Sequence, residues 1–113
     1  MCGIAGACWS SGVDRATLGV RLDASIDAMR NRGPSSSGHV MWSPDESGST
    51  VIGLANTRLA VLDLSSAGAQ PMTTPDGRFT IVYNGEVTNY IEIRSDLAAL
   101  GVPFTSTSDT EVL

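Results

Sequence analysis

Only two stretches of this chain carry an apolar period of three to four residues; the remainder is short runs cut by turn residues. In 16–30, Leu18, Leu22, Ile26 and Met29 share one helical face, and Gly33-Pro34 closes the segment. In 89–100, Ile93, Leu97 and Leu100 do the same, with Gly101 as the stop. The segments around them read as strands. Residues 2–9, Cys-Gly-Ile-Ala-Gly-Ala-Cys-Trp, are apolar and small and predict a buried strand. A turn at Ser10-Ser11-Gly12 follows. Residues 35–38 predict a loop, and 39–43 and 50–56 predict strands joined by the turn-rich 44–49. Pro75-Asp76-Gly77 is a turn, after which Phe79, Ile81 and Tyr83 alternate with Arg78, Thr80 and Val82 as a strand does. Short strands in succession, with helices at two places, predict an α+β fold, and 113 residues suit one domain. Near the end, Ser108-Asp109-Thr110-Glu111 has the form of a capping box. The helix it announces has one turn before Leu113, too little to be stable alone, so a chain cut within its domain is expected.

Charge and composition exclude several functions. The net charge is −5 and the seven basic residues do not cluster, which disfavours a nucleic-acid binder. No apolar run approaches the roughly 20 residues of a membrane helix. No basic segment leads into an apolar one at the N-terminus, so a cytoplasmic protein is expected. Cys2 and Cys8 on one extended strand would lie roughly 20 Å apart, against the roughly 4.4–6.8 Å of a disulfide. His39 is the only histidine, which leaves too few soft ligands for a zinc site and makes a Cys–His dyad the weaker design.

Five segments then fall in a telling order: Met1-Cys2-Gly3-Ile4-Ala5-Gly6, Arg32-Gly33-Pro34, the run from Thr57 to Leu64, Tyr83-Asn84-Gly85-Glu86, and the run from Ser108 to Val112. In order and spacing the chain resembles the class II, N-terminal nucleophile, glutamine amidotransferases. Asp63-Leu64 followed by Gln70-Pro71-Met72 looks most like the glutaminase domain of glutamine-hydrolysing asparagine synthetase. The resemblance implies that residues 1–113 are the N-terminal part of such a domain, truncated, with the synthetase domain outside this chain. It implies a four-layer αββα sandwich of the N-terminal nucleophile hydrolase type, incomplete here, with exposed edges and poor stability in isolation. It implies no cofactor or metal for this chain, ATP and magnesium being needed only by the synthetase domain. The implied partners are glutamine and a synthetase domain or chain that receives ammonia; a homodimer stays open. The sequence also departs from the family: Asn31 and Ser35 flank Arg-Gly-Pro where His and Asp are usual. Asn56-Thr57 stand where a His is common, and Val87-Thr88 replace Ile-Tyr.

Glutamine hydrolysis needs a nucleophile, a proton acceptor, an oxyanion hole and a grip on the substrate's charged end. Cys2 is the candidate nucleophile. Removal of Met1 would expose an α-amine with an ordinary pKa of about 7.7–8.0, suited to take the thiol proton and return it to ammonia. Position alone fits a small buried cysteine equally well. Cys8, inside an apolar run, reads as core. Asn84 and Gly85 offer an amide and a backbone N–H for an oxyanion, though Asn-Gly is also the commonest hairpin turn. Arg58 has the fork that pairs with a carboxylate, or it is a solvated strand-end Arg. The resemblance adds Leu59, Ala60, Val61 and Leu62 as backbone lining of the glutamine pocket. It also adds Glu86 as a contact and Asp109 as the holder of the α-ammonium, which coexists with Asp109 as a helix-start acid. Gly33 and Pro34 would shape a loop near the nucleophile, with Arg32 structural. The resemblance implies chemistry that would serve asparagine synthesis, or another amidotransferase of the glucosamine-phosphate synthase or amidophosphoribosyltransferase type; a non-catalytic remnant that binds glutamine is the alternative.

Overall fold

The computed structural model describes residues 1–10 and 14–113, so most of the turn expected at Ser10-Ser11-Gly12 lies outside the described residues. Strand β1 (Gly3–Ser10) pairs antiparallel with β3 (Thr50–Arg58), and β2 (Ser36–Trp42) pairs antiparallel with the other edge of β3. Helix α1 (Arg15–Met29) starts where Asp14 accepts a hydrogen bond from the Thr17 N–H at 2.7 Å, an N-cap that satisfies a free helix-end donor. Its buried face is the predicted one: Leu18, Leu22 and Ile26 pack on Val51 and Ala55, flanked by Ala5, Ala7, Trp9 and Met41. Gly53 permits the close approach, since a Cβ there would lie 2.7 Å from Leu22 Cδ1.

A second, two-stranded antiparallel sheet pairs β4 (Met72–Thr73) with β5 (Thr80–Ile81) across the expected turn at 75–77. Gly77 takes the left-handed conformation that turn needs, with φ of 72°. Helix α2 (Tyr90–Ala99) follows, then a 3-10 turn at Asp109–Val112. The α+β class is as expected, built from antiparallel sheets.

Several expectations need correction. The first strand is covered on one face only: Ala5, Ala7 and Trp9 face α1, while Cys8 pairs with Ile52 on the opposite face and is exposed. Cys8 is therefore not a core residue, because the core is one-sided. β2 begins at Ser36, not at His39, since Ser36, Ser37 and Gly38 pair with Arg58, Thr57 and Asn56. Backbone pairing with β3 outweighs their loop-like composition. Only Thr80–Ile81 of the run 79–83 is strand, as the Tyr83 N–H is taken by the Gln70 side chain. None of the described residues of α2 is buried, and Leu100, expected on its apolar face, is 82% exposed. At the capping box, Ser108 Oγ does accept from the Thr110 N–H at 3.2 Å. Glu111 instead reaches the backbone N–H groups and hydroxyls of Thr105 and Ser106, and the turn is 3-10. Among the described residues no helix is long and apolar enough to cross a membrane.

Candidate functional site

The end of β3, the residue before β1 and three loops converge on a cavity of about 450 Å³, within the usual size range for small-molecule sites. Cys2, Arg58, Leu59, Val61, Leu62, Asn84, Gly85, Glu86 and Asp109 line it; Ala60 does not. The five sequence segments thus reach one place except for Arg32-Gly33-Pro34, which supports it from behind.

Cys2 lies one step beyond the Gly3–Thr57 pair, at the mouth of the sheet. Its sulfur accepts a hydrogen bond from the Leu59 N–H at 3.4 Å and is 3.9 Å from the Leu59 carbonyl oxygen. The thiol therefore faces a polar loop corner, not packed hydrocarbon. Arg32 donates through Nε to the Cys2 carbonyl at 3.2 Å, holding the strand entry. Gly33 lies flat on β3: a Cβ there would be 2.6 Å from the Arg58 nitrogen and nearer still to the Thr57 carbonyl. Ser35, which stands where an Asp was expected, donates its N–H to the Arg58 carbonyl at 2.9 Å and accepts the Ala60 N–H at 3.1 Å. That explains Ala60: its backbone donor is turned to Ser35 and fixes the loop from outside.

Arg58 is 7% exposed, so it is not a solvated strand-end cation. Its guanidinium donates to the carbonyls of Asp63 and Ser65. Two of its five donors are engaged there, and the side chain still lines the cavity. Gly68 makes room for it, because a Cβ at that position would fall 3.0 Å from Arg58 Cζ and overlap a terminal nitrogen.

Asp63 carries the loop's other anchor. Its carboxylate accepts from the Ser65 hydroxyl at 2.6 Å and N–H at 2.7 Å, and from the Thr107 N–H at 2.7 Å and hydroxyl at 3.1 Å. The Ser65 hydroxyl first, then the Thr107 and Ser65 amides, hold its pKa well below the usual aspartate range. An unfolded aspartate protonates near pH 3.9, so the stabilisation is complete above about that value and is lost as pH falls toward the depressed folded value. Replacing Asp63 with Asn should lower the thermal midpoint at about pH 7 and shrink the gap to wild type as the solution approaches about pH 3, followed by circular dichroism. A gap that stays constant across that range would contradict the assignment.

Asp109 is buried, and its Oδ2 accepts from the Val87 N–H at 2.9 Å. It begins the 3-10 turn, as a helix-start acid, and lines the cavity. Gly85 is enforced by Tyr83, whose ring lies where a Cβ would sit, 3.0 Å from Cε2. Arg94 from α2 donates to the carbonyls of Ser106 and Ser108 at 2.8 Å each and stacks 4.3 Å from the centre of the Phe104 ring, which fixes the approach to Asp109. Glu111 braces the same segment: burial opposes its charge, but the donors on Ser106 and Thr105 win and lower its pKa. Asp63, Gln70 and Arg94 were not among the expected site residues. Asp63 and Gln70 were signalled only as parts of the motif Asp63-Leu64 followed by Gln70-Pro71-Met72, without a role; Arg94 gave no signal.

Residues 1–113 match the family model described as glutamine amidotransferase domain. The chain is 41% identical over 83 residues to asparagine synthetase (glutamine-hydrolyzing) 1 of Bacillus subtilis (strain 168), covering 74% of this chain and 12% of that protein. It is 39% identical over 94 residues to asparagine synthetase (glutamine-hydrolyzing) 3 of the same strain, covering 81% of this chain and 14% of that protein. It is 33% identical over 107 residues to a glutamine–fructose-6-phosphate aminotransferase (isomerizing) of Thermus thermophilus, covering 90% of this chain and 17% of that protein. The chain thus spans a small part of the length of these relatives. No solved structure matches it.

Proposed function

This chain belongs to the glutamine amidotransferase domain family, and from that premise we propose that it hydrolyses glutamine to glutamate and ammonia with Cys2 as nucleophile. The observation that carries the reading is the single cavity shared by Cys2, Arg58, Asn84, Gly85 and Asp109. After removal of Met1, the α-amine of Cys2 takes the thiol proton, directly or through one water. The thiolate attacks the γ-amide carbon, and the oxyanion rests between the Asn84 amide and the Gly85 N–H. The tetrahedral intermediate collapses, the C–N bond breaks, and the α-ammonium returns the proton to the departing ammonia. Water then cleaves the thioester to release glutamate. Arg58 pairs with the substrate's α-carboxylate, Asp109 with its α-ammonium, and Glu86 and the backbone of 59–62 border it.

The relatives named asparagine synthetase support an ATP-dependent transfer of the ammonia to aspartate, in a synthetase domain or chain beyond these residues. ATP and magnesium belong to that step, and no residue of this chain is assigned to them. The sugar-phosphate acceptor is the second reading, favoured by the likeness to the aminotransferase. Residues 1–113 are the N-terminal part of a glutaminase domain in a cytoplasmic enzyme, and a four-layer αββα sandwich is its completed form. The open face of the β1-β3-β2 sheet supports that: Ile4 and Cys8 are exposed there, awaiting a second layer.

The test is ammonia release from glutamine in the intact polypeptide. Asn84→Ala should lower kcat by about 10²–10³-fold with little change in KM, since an oxyanion donor acts mainly in the transition state. An unchanged kcat would remove Asn84 from the oxyanion hole.

A further inference from the structure

Gln70 was recognised in the sequence only as part of Gln70-Pro71-Met72, with no role. It is 8% exposed and uses both ends of its amide. Oε1 accepts from the Tyr83 N–H at 2.6 Å, and Nε2 donates to Thr110 Oγ1 at 3.3 Å. Tyr83 immediately precedes Asn84, and Thr110 immediately follows Asp109. The main chain of Gln70 packs close against the larger sheet: its carbonyl oxygen is 3.1 Å from where a Cβ on Gly38 would sit. One side chain therefore joins the Asn-Gly corner to the Asp109 turn. A second link, Val87 N–H to Asp109 Oδ2, ties the same two segments on the far side of Gly85.

We propose that Gln70 is a positioning residue that sets the distance between the oxyanion corner at Asn84–Gly85 and the ammonium-binding carboxylate of Asp109. The proposal rests on reading the cavity as the glutamine site. A glutamine molecule has to bridge these two points, its amide carbon at one and its α-ammonium at the other. The spacing between them is thus a catalytic dimension, and a shift of about an ångström in such a dimension can cost about 10²-fold in rate. Glutamine chemistry suits the post. The amide supplies one acceptor and one donor to unlike partners, and it adds no charge beside Asp109 that would compete for the substrate's ammonium.

The experiment compares wild type, Gln70→Met, Gln70→Glu and Thr110→Val in the intact polypeptide. Met keeps the length and loses both hydrogen bonds. Glu keeps the acceptor for Tyr83 and can accept from the Thr110 hydroxyl. Two rates are read: kcat/KM for glutamine, and alkylation of Cys2 by iodoacetamide, which needs a reactive thiol but no amino-acid recognition. Gln70→Met should lower kcat/KM by about 10–100-fold, through kcat and KM together, with alkylation within about twofold of wild type. Gln70→Glu should recover kcat, which reads the spacing, while KM stays raised because its charge competes beside Asp109 for the substrate's ammonium. Thr110→Val should show a smaller defect that does not add to that of Gln70→Met, because both break one bridge. If Gln70→Met does not fold, Thr110→Val alone decides: a fall in kcat/KM with unchanged alkylation supports the inference, and wild-type kinetics overturn it. A Gln70→Met protein with wild-type kcat/KM, or one that loses alkylation and turnover in proportion, overturns it as well. A wild-type protein that releases no ammonia overturns the glutaminase reading itself, and the spacing role with it.

Discussion

Ammonia release from glutamine falls by at least about 10³-fold when Cys2 becomes Ala, because removal of a covalent nucleophile leaves only binding and the oxyanion donors. The same loss is expected from a chain extended at its N-terminus so that Met1 is retained. The thiol is then intact, but the α-amine that should take its proton is an amide. Met1 also lines the cavity, so its retention fills space intended for substrate. The two variants separate the roles. The N-terminally extended protein should still be alkylated by iodoacetamide at Cys2, and Cys2→Ala should not be alkylated at that position. Their comparison matters because His39, the chain's only histidine, is paired with Asp23 at 3.0 Å between β2 and α1 and does not line the cavity. If the extended chain hydrolyses glutamine at the wild-type rate, the amine is not the base.

Arg58→Ala is expected to raise KM for glutamine by about 10²-fold, the loss of a charge-assisted bidentate pair being worth about 3 kcal/mol. The substitution also leaves the carbonyls of Asp63 and Ser65 without their donor, so the pocket loop should loosen. Gly68→Ala is the sharper probe, since it removes no functional group. Its Cβ would press on the Arg58 guanidinium and on Asp63 Cβ, 3.1 Å away. KM should rise with kcat largely kept, and Arg58→Lys should not restore a fork-shaped contact. A Gly68→Ala enzyme with wild-type KM would show that the guanidinium position is not what holds the substrate.

The legible part of this fold was the part decided locally. The period of Leu18, Leu22 and Ile26 gave α1 within a residue at each end, because that face is buried against one sheet. Strand β3 was found for the same reason, its alternate residues Val51 and Ala55 being core. What escaped was decided at a distance. Ser36–Gly38 are strand only because β3 offers them partners, and Tyr83 leaves its strand because a side chain from residue 70 takes its N–H. Cys8 looked like core because composition does not say which face of a strand is covered. The site shows the same division. Cys2, Arg58, Asn84, Gly85 and Asp109 were legible through their motifs. The residues that hold them were not. Gln70 acts on positions 13 and 40 residues away, Asp63 on Thr107 44 residues away, and Arg94 on carbonyls 12 and 14 residues on. No periodicity or spacing rule reports such bonds.

On the proposed mechanism, substrate is carried, covalently, on the first residue of the processed polypeptide. Rapid acid quench of the enzyme with isotopically labelled glutamine, followed by peptide mapping, tests it most directly. We expect label as a γ-glutamyl thioester on an N-terminal peptide that begins at Cys2 with a free amine, and no label in Cys2→Ala. Turnover with the label absent from that peptide, or with Met1 still attached to it, would rule out that mechanism.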